Sequence, residues 1–270
     1  MAKGAGQPWP AHIPALLLEG IAQGGDAVGR YEGRVVFVQG ALPGETVAVR
    51  LTARQPSFAR GVVDQLLQPS PDRVTPPCPV FGRCGGCQWQ YATYPAQLAW
   101  KQAIVVEQLQ HLGQVESPAV AATLGMEPPW SYRSAAEFHV SPAGQAGFYA
   151  AHSHTVVPLA ACPLLVPALN ALLPALQAAL LTLAAADRPV QVTLRWSWAE
   201  SLALALLHGG TRQGAEALAA RLAGRVAEVA WERGREVQPL AGRGFFHESL
   251  GPAALRVSPT AFFQVNVPQA

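Results

Sequence analysis

Apolar residues recur at every second position in a run of short stretches between about Leu16 and Leu67, and glycine or proline separates one stretch from the next. GRVVFVQG, TVAVRLTAR and FARGVVDQLL read as strands on that alternation, with Pro43-Gly44 as a tight turn between the first two. Val35, Phe37, Val47 and Val49 occupy the alternating positions that a half-buried wall requires. Short strands at this spacing predict a five-stranded OB-like β-barrel over residues 1–69, with a tail confined to roughly the first dozen residues; any other small β-module fits the pattern as well.

The periodicity then lapses. SPDRVTPPCPVFGRCGGCQWQ is dense in proline, glycine and cysteine, which excludes a helix or a regular strand and predicts a loop over residues 70–95. Behind it, Tyr94 to Leu112 carries Leu98, Ile104, Val105 and Leu109 near helical spacing, and Gly113 is a natural stop. AAEFHV, GFYA and HTVVPL read as neighbouring antiparallel strands. The run from Pro163 to Ala186 has no formal charge and is long enough for a membrane span, yet it contains three prolines, Asn170 and Gln177 and leads directly into strand-like sequence. It therefore predicts a helix buried against a sheet. QVTLRWSW and LALALLHG form a hairpin about Ala199-Glu200, and Thr211 caps a helix reaching about Leu222, although Gly214 stands where a capping box would place Glu or Gln. RVAEVAWERG adds a strand and LRVSPTAFFQVN closes the pattern, so residues 96–266 are expected to form an α+β domain.

Composition and charge narrow this picture only slightly. With 270 residues, half of them hydrophobic, the chain can bury a sizeable core in roughly two domains. A formal charge of +2 permits a nucleic-acid partner without announcing one. Lysine occurs only at Lys3 and Lys101, so the cationic groups are almost all arginines, which can fork onto phosphate or stack on bases; a GC-rich coding sequence explains the same bias. MAKGAGQPWPAHIP lacks the basic and apolar stretches of a signal peptide, and a cytoplasmic, reducing setting without a membrane is expected.

The cysteines carry the most specific chemistry. Cys78, Cys84 and Cys87 form C-x5-C-x2-C within one loop, and Cys162 stands alone before Pro163. Four thiolates on a glycine-rich loop suit an iron-sulfur cluster or structural zinc. A single CxxC with its third partner upstream, in place of paired CxxC knuckles, tilts the reading toward iron-sulfur, while two disulfides conflict with a reducing compartment.

The stretches GRVVFVQGALPGETVAVR, SPDRVTPPCPVFGRCGGCQWQ with YPAQLAWKQ, WSYRSAAEFHV, GFYAAHSHTVVPLAACPLL and LRVSPTAFFQVN together resemble the RNA (uracil-5-)-methyltransferase family, in its 23S ribosomal RNA type with a TRAM barrel and a [4Fe-4S] cluster. The resemblance runs from about residue 16 to 266. It implies that Cys78, Cys84, Cys87 and Cys162 hold the cluster and that Gln264 lies in a strand lining the cleft for S-adenosylmethionine and the target base, with Phe263 and Asn266 as neighbours. It further implies that the barrel and the α+β domain grip RNA, ribosomal in preference to transfer RNA, while the target uridine is turned out of its stack. Arg60, Tyr132 and Arg133 are candidate RNA contacts.

In such a family the reaction needs a cysteine that adds to uracil C6 and a carboxylate base, and none of the cysteines here remains for that task. Gly242-Arg243-Gly244 is the one hint of a glycine-rich cofactor loop, with His247 in place of a further glycine. The expectation is accordingly a TRAM-type barrel, an α+β domain with an iron-sulfur loop, no catalytic residue within the chain, and no Rossmann-like methyltransferase domain. Residues 267–270 would then be the start of a missing domain, the chain would be inactive alone, and a separately encoded methyltransferase half would be a partner. A non-catalytic RNA-binding module with a structural four-cysteine metal site is the alternative, and a redox carrier without flavin or nicotinamide motif ranks third.

Overall fold

β-Branched residues on alternating positions close the first part of the chain into a barrel in the computed structural model, which describes residues 8–270. Contacts divide it into two units: residues up to Gly82 together with Cys87–Gly125, and Arg83–Gly86 together with Met126–Ala270. In the first unit β1 (His12–Ile21), β2 (Ala27–Tyr31), β3 (Arg34–Gln39), β4 (Thr46–Arg54) and β5 (Phe58–Gln68) close in the order β1-β2-β3-β5-β4. β3 and β5 run parallel and the other pairs antiparallel. Ile13, Leu16, Leu18, Val36, Val38, Val47, Val49 and Leu51 fill the interior.

Two expectations change here. The inward residues of β3 are Val36 and Val38, while Val35 and Phe37 lie on its outer side, because a period of two admits either face when four apolar residues are consecutive. Part of the expected tail is also ordered: Met1 to Gln7 lie outside the described residues, but the indole N–H of Trp9 donates to the Gln55 carbonyl at 2.7 Å and Pro10 accepts from Arg54.

The turn between β3 and β4 is organised by Glu45, whose side chain has no exposed surface. Its carboxylate accepts from the backbone N–H of Leu42 (2.8 Å) and Ser70 (3.3 Å) and from two nitrogens of Arg73 (2.5 and 2.8 Å). Burial opposes the charge, but the Arg73 and backbone hydrogen bonds outweigh it and hold the carboxyl below its ordinary range. Arg73 also donates to the Gly40 carbonyl and lies 4.8 Å from the ring of Tyr91, whose phenol burial pushes up to about 12. Tyr91 packs with Leu42, Ala92, Phe81 and Trp100, so one buried carboxylate ties the barrel to the loop and to helix α1 (Tyr94–His111). Helix α1 starts at Thr93, whose hydroxyl donates to Asp72, and it buries only Ala96 completely.

In the second unit seven strands form one mixed sheet. They are β6 (Ala135–Val140), β7 (Ala146–Tyr149), β8 (Val156–Pro158), β9 (Gln191–Ser197), β10 (Leu202–His208), β11 (Glu228–Arg233) and β12 (Glu236–Ala241), in the order β12-β11-β10-β9-β6-β7-β8. Only β10 and β11 pair in parallel, joined by helix α3 (Arg212–Leu222). Leu204 and Leu206 of β10 face the separate hairpin of β13 (Phe246–Leu250) and β14 (Ala253–Val257), packing with Ala230, Phe246 and Val257.

Helix α2 (Pro167–Leu181) buries Leu169, Leu172, Leu173, Leu176 and Leu180, and each such side chain contributes about 1.5–3 kcal/mol. Its two amides fasten it: Asn170 brackets the backbone of Cys162, and Gln177 bonds the Gly144 carbonyl and the Ala146 N–H. Among the described residues no helix is long and apolar enough to cross a membrane. Thr211 caps α3 by accepting from Gly214 N–H, and Gly214 replaces the Glu or Gln of a capping box because a Cβ there would run into the Asp187 carbonyl.

Replacing Arg73 with alanine leaves the buried Glu45 charge without its cation and is expected to destabilise the first unit by about 3–5 kcal/mol, measured by urea unfolding followed at Trp89 and Trp100. A loss below about 1 kcal/mol would place this pair in the class of exposed ion pairs.

Candidate functional site

The cysteine loop is shaped by backbone contacts. Within the second unit, Cys84 forms an isolated bridge with Ala150, and the Gly85 N–H donates to the Tyr149 carbonyl at 2.9 Å. A Cβ at Gly85 would stand 3.0 Å from the Ala151 backbone, so this approach requires glycine. The Gly86 N–H donates to the Cys84 Sγ, 3.4 Å away. Cys162 is buried, and its backbone is held on both sides by Asn170. Cys78 and Cys87 belong to the first unit, where the Cys78 carbonyl accepts from Phe81 N–H. No disulfide joins cysteines among the described residues. Among the described residues no group of three metal-binding side chains is gathered; the cysteine side chains are soft donors of the kind that suit a thiolate-bound group.

The terminal segment departs from expectation. Gln264 and Phe263 lie in irregular chain after β14 and not in a strand, and residues 267–269 form a short 3-10 turn. The segment is held by side chains and backbone from the sheet: Arg195 donates to the Ala261 carbonyl (2.6 Å), and both the N–H and the hydroxyl of Ser134 donate to the Val265 carbonyl. Phe263 packs on the Leu204 and Phe246 cluster, Gln264 is exposed, and Asn266 bridges Arg133. Arg133 is laced by its backbone to Leu164 and Val166, so the structure brings Tyr132-Arg133, the Cys162 segment and Asn266 into one region. The Asn266 Oδ1 is buried without a hydrogen-bond partner. Arg60 belongs to the first unit, on the outer face of β5.

Gly242-Arg243-Gly244 turns out to cradle a carboxylate of the protein itself. Both glycines adopt positive φ (72° and 74°), which aims the N–H groups of Arg243 (2.5 Å) and Gly244 (2.8 Å) at the buried Glu228. The turn is therefore filled, and it is not a cofactor loop. Arg243 also pairs with Glu200 at 3.0 and 3.2 Å, and the hydrogen bonds from Arg243 and His247 pull the Glu200 carboxyl down to about 2. Glu248, also buried, accepts from Trp198 and Ala199 N–H and fastens the β9–β10 turn to β13. Sequence reasoning missed this network because its partners are roughly 15 to 50 positions apart and none repeats with an element's period.

With this geometry the comparisons with known proteins can be placed. Residues 15–63, nearly all of the barrel, match the TRAM domain model. Across 95% of its length the chain is 34% identical to an uncharacterized RNA methyltransferase of Gloeobacter violaceus, and it covers 64% of that protein. It is also 34% identical, over 70% of its length and 45% of the relative's, to a 23S rRNA (uracil(1939)-C(5))-methyltransferase of an Azoarcus species. The solved structure of the Pyrococcus abyssi tRNA (uracil-54, C5)-methyltransferase, in complex with S-adenosyl-L-homocysteine, superposes with a TM-score of 0.64 at 18% identity, covering 94% of this chain and 62% of its own. The chain thus spans less than two thirds of the relatives it matches along nearly its whole length.

These alignments correct the expected fold class. The barrel and the α+β domain were expected as the portion of such a methyltransferase that lacks its C-terminal Rossmann-like domain. Instead 94% of the chain superposes on a methyltransferase, so these residues are integral to that fold, and the truncation reading is withdrawn.

Because the Glu200 carboxyl is depressed from 4.5 to about 2, the stabilisation from its ion pair is present above pH 4.5 and is lost as pH falls through about 2. Arg243→Gln is expected to return the Glu200 titration toward its ordinary value, read from its side-chain carboxyl carbon by NMR; an unmoved titration would assign the depression to His247 alone.

Proposed function

We propose that the protein serves in the S-adenosylmethionine-dependent methylation of uracil C5 in RNA, with ribosomal RNA as its substrate. The observation that carries this reading is the continuous similarity over 95% of the chain to a protein named as an RNA methyltransferase, joined to a TRAM match on the barrel. The choice of ribosomal over transfer RNA is supported by the name of the Azoarcus relative.

In this reading Cys78, Cys84, Cys87 and Cys162 hold a [4Fe-4S] cluster, whose chemical demand is four soft thiolate donors and N–H groups near sulfur. When bound, S-adenosylmethionine supplies the methyl group. Exposed Gln264 offers an amide to cofactor or base, Phe263 fixes the segment by packing, and the unsatisfied Asn266 Oδ1 is an acceptor available to a ligand donor. Tyr132, Arg133 and Arg60 contact RNA, Arg133 at the segment that carries Asn266.

Two measurements test this. Deleting the gene is expected to remove one 5-methyluridine from 23S ribosomal RNA in mass-spectrometric mapping, restored by complementation. Retention of every 5-methyluridine in both ribosomal and transfer RNA overturns the reading. Anaerobically purified protein is expected to be brown, with about four irons and four sulfides per chain, and to lose the colour on Cys84→Ser; one zinc and no colour overturns the cluster.

A further inference from the structure

Arg195 sits on β9 between apolar neighbours. Its Cα partners across the ladder are Ala135 of β6 and Leu204 of β10, so neither side of its rung brings a charge. Paired positions share a sheet face, and on that face Leu204 belongs to the cluster on which Ala261 and Phe263 pack. Among the described residues no carboxylate pairs with Arg195, its Nε is buried without an acceptor, and desolvation lowers its pKa. A cation held in this way costs stability, and a well-packed aliphatic side chain in its place is neutral or favourable. The stability of the fold therefore does not call for an arginine here.

What the guanidinium does reach is irregular chain. Its Nη1 donates to the Ala261 carbonyl at 2.6 Å. Further along the same segment, the Val265 carbonyl accepts from both the N–H (2.8 Å) and the hydroxyl (3.1 Å) of Ser134. Ser134 is itself fixed to β9, because its carbonyl accepts from the Trp196 N–H at 2.8 Å. The sheet thus grips the segment at both ends. Between the grips Phe263 packs inward, while Phe262 and Gln264 are exposed. These residues belong to no strand, so the direction of Gln264 follows from where the two carbonyls are fixed.

We propose that Arg195 is a positioning residue for methyl transfer: by holding the Ala261 carbonyl, opposite Ser134 at Val265, it fixes the exposed Gln264 in the orientation that meets S-adenosylmethionine. This rests on the reading above that places Gln264 at the cofactor, and it adds the side chain that sets the geometry. Arg195 acts through the backbone of the segment and touches neither cofactor nor base.

The test uses the protein expressed from its own gene, with labelled S-adenosylmethionine and 23S ribosomal RNA that lacks the modification. Arg195→Met keeps the length of the side chain and removes the donor. It is expected to raise the KM for S-adenosylmethionine about tenfold, the loss of one charge-assisted hydrogen bond, with kcat little changed and the melting temperature held or raised. Arg195→Lys restores a donor and is expected to bring KM back to within about threefold of wild type. Hydrogen exchange supplies a readout apart from activity: Arg195→Met is expected to speed exchange at residues 259–266 and to leave β10 unchanged. Active wild-type protein with an unmoved KM and unmoved exchange in Arg195→Met overturns this inference and leaves the function standing. A raised KM that comes with a lowered melting temperature and is not rescued by lysine also overturns it, since that is the signature of a structural residue. Wild-type protein that transfers no methyl group to any RNA overturns both readings. Should Arg195→Met fail to fold, Arg195→Gln, polar but shorter, takes its place under the same criteria.

Discussion

A carboxylate with no exposed surface sits where the barrel hands the chain to the cysteine loop, and the first unit depends on it. Glu45 replaces lost hydration with hydrogen bonds from two backbone N–H groups and from Arg73, and that satisfaction makes its burial tolerable. Arg73 in turn positions the Tyr91 ring, on which Leu42, Ala92 and Phe81 pack. The second unit uses the same device twice. Glu228 fills the Gly242 to Gly244 turn and Glu248 caps the β9–β10 turn, so irregular chain is fixed by carboxylates and not by apolar burial.

These anchors explain why the candidate site can be built from irregular segments. Loop backbone buried away from water must find hydrogen-bond partners, and here the partners come from sheet edges and turns. Gly85 donates to the Tyr149 carbonyl, Ser134 to Val265, and Arg195 to Ala261. Among the described residues no carboxylate pairs with the half-buried Arg195, and desolvation lowers its pKa. Such a cation is held in place by its bond to the chain carrying Phe263 and Gln264, which couples the sheet to the segment that the functional reading places at the cofactor.

Local features were legible where one face of an element is apolar and its neighbour polar. Val47 and Val49 alternate and are buried, Thr211 caps α3, and Asn170 and Gln177 within the apolar run of α2 are the residues that fasten it to neighbouring chain. Where both faces are apolar, as from Val35 to Val38, alternation cannot choose, and the sequence reading placed Phe37 on the wrong side.

What the sequence by itself determined is the set of periodic segments, the caps and the thiol-rich loop, because these follow from neighbours a few positions apart. Tertiary structure alone decided that the Gly242 turn holds Glu228, that the Gln264 segment is irregular, and which rings of the barrel face solvent. Each of those outcomes depends on groups distant in sequence meeting in space, where a buried charge or N–H must be satisfied, and no local pattern records that requirement.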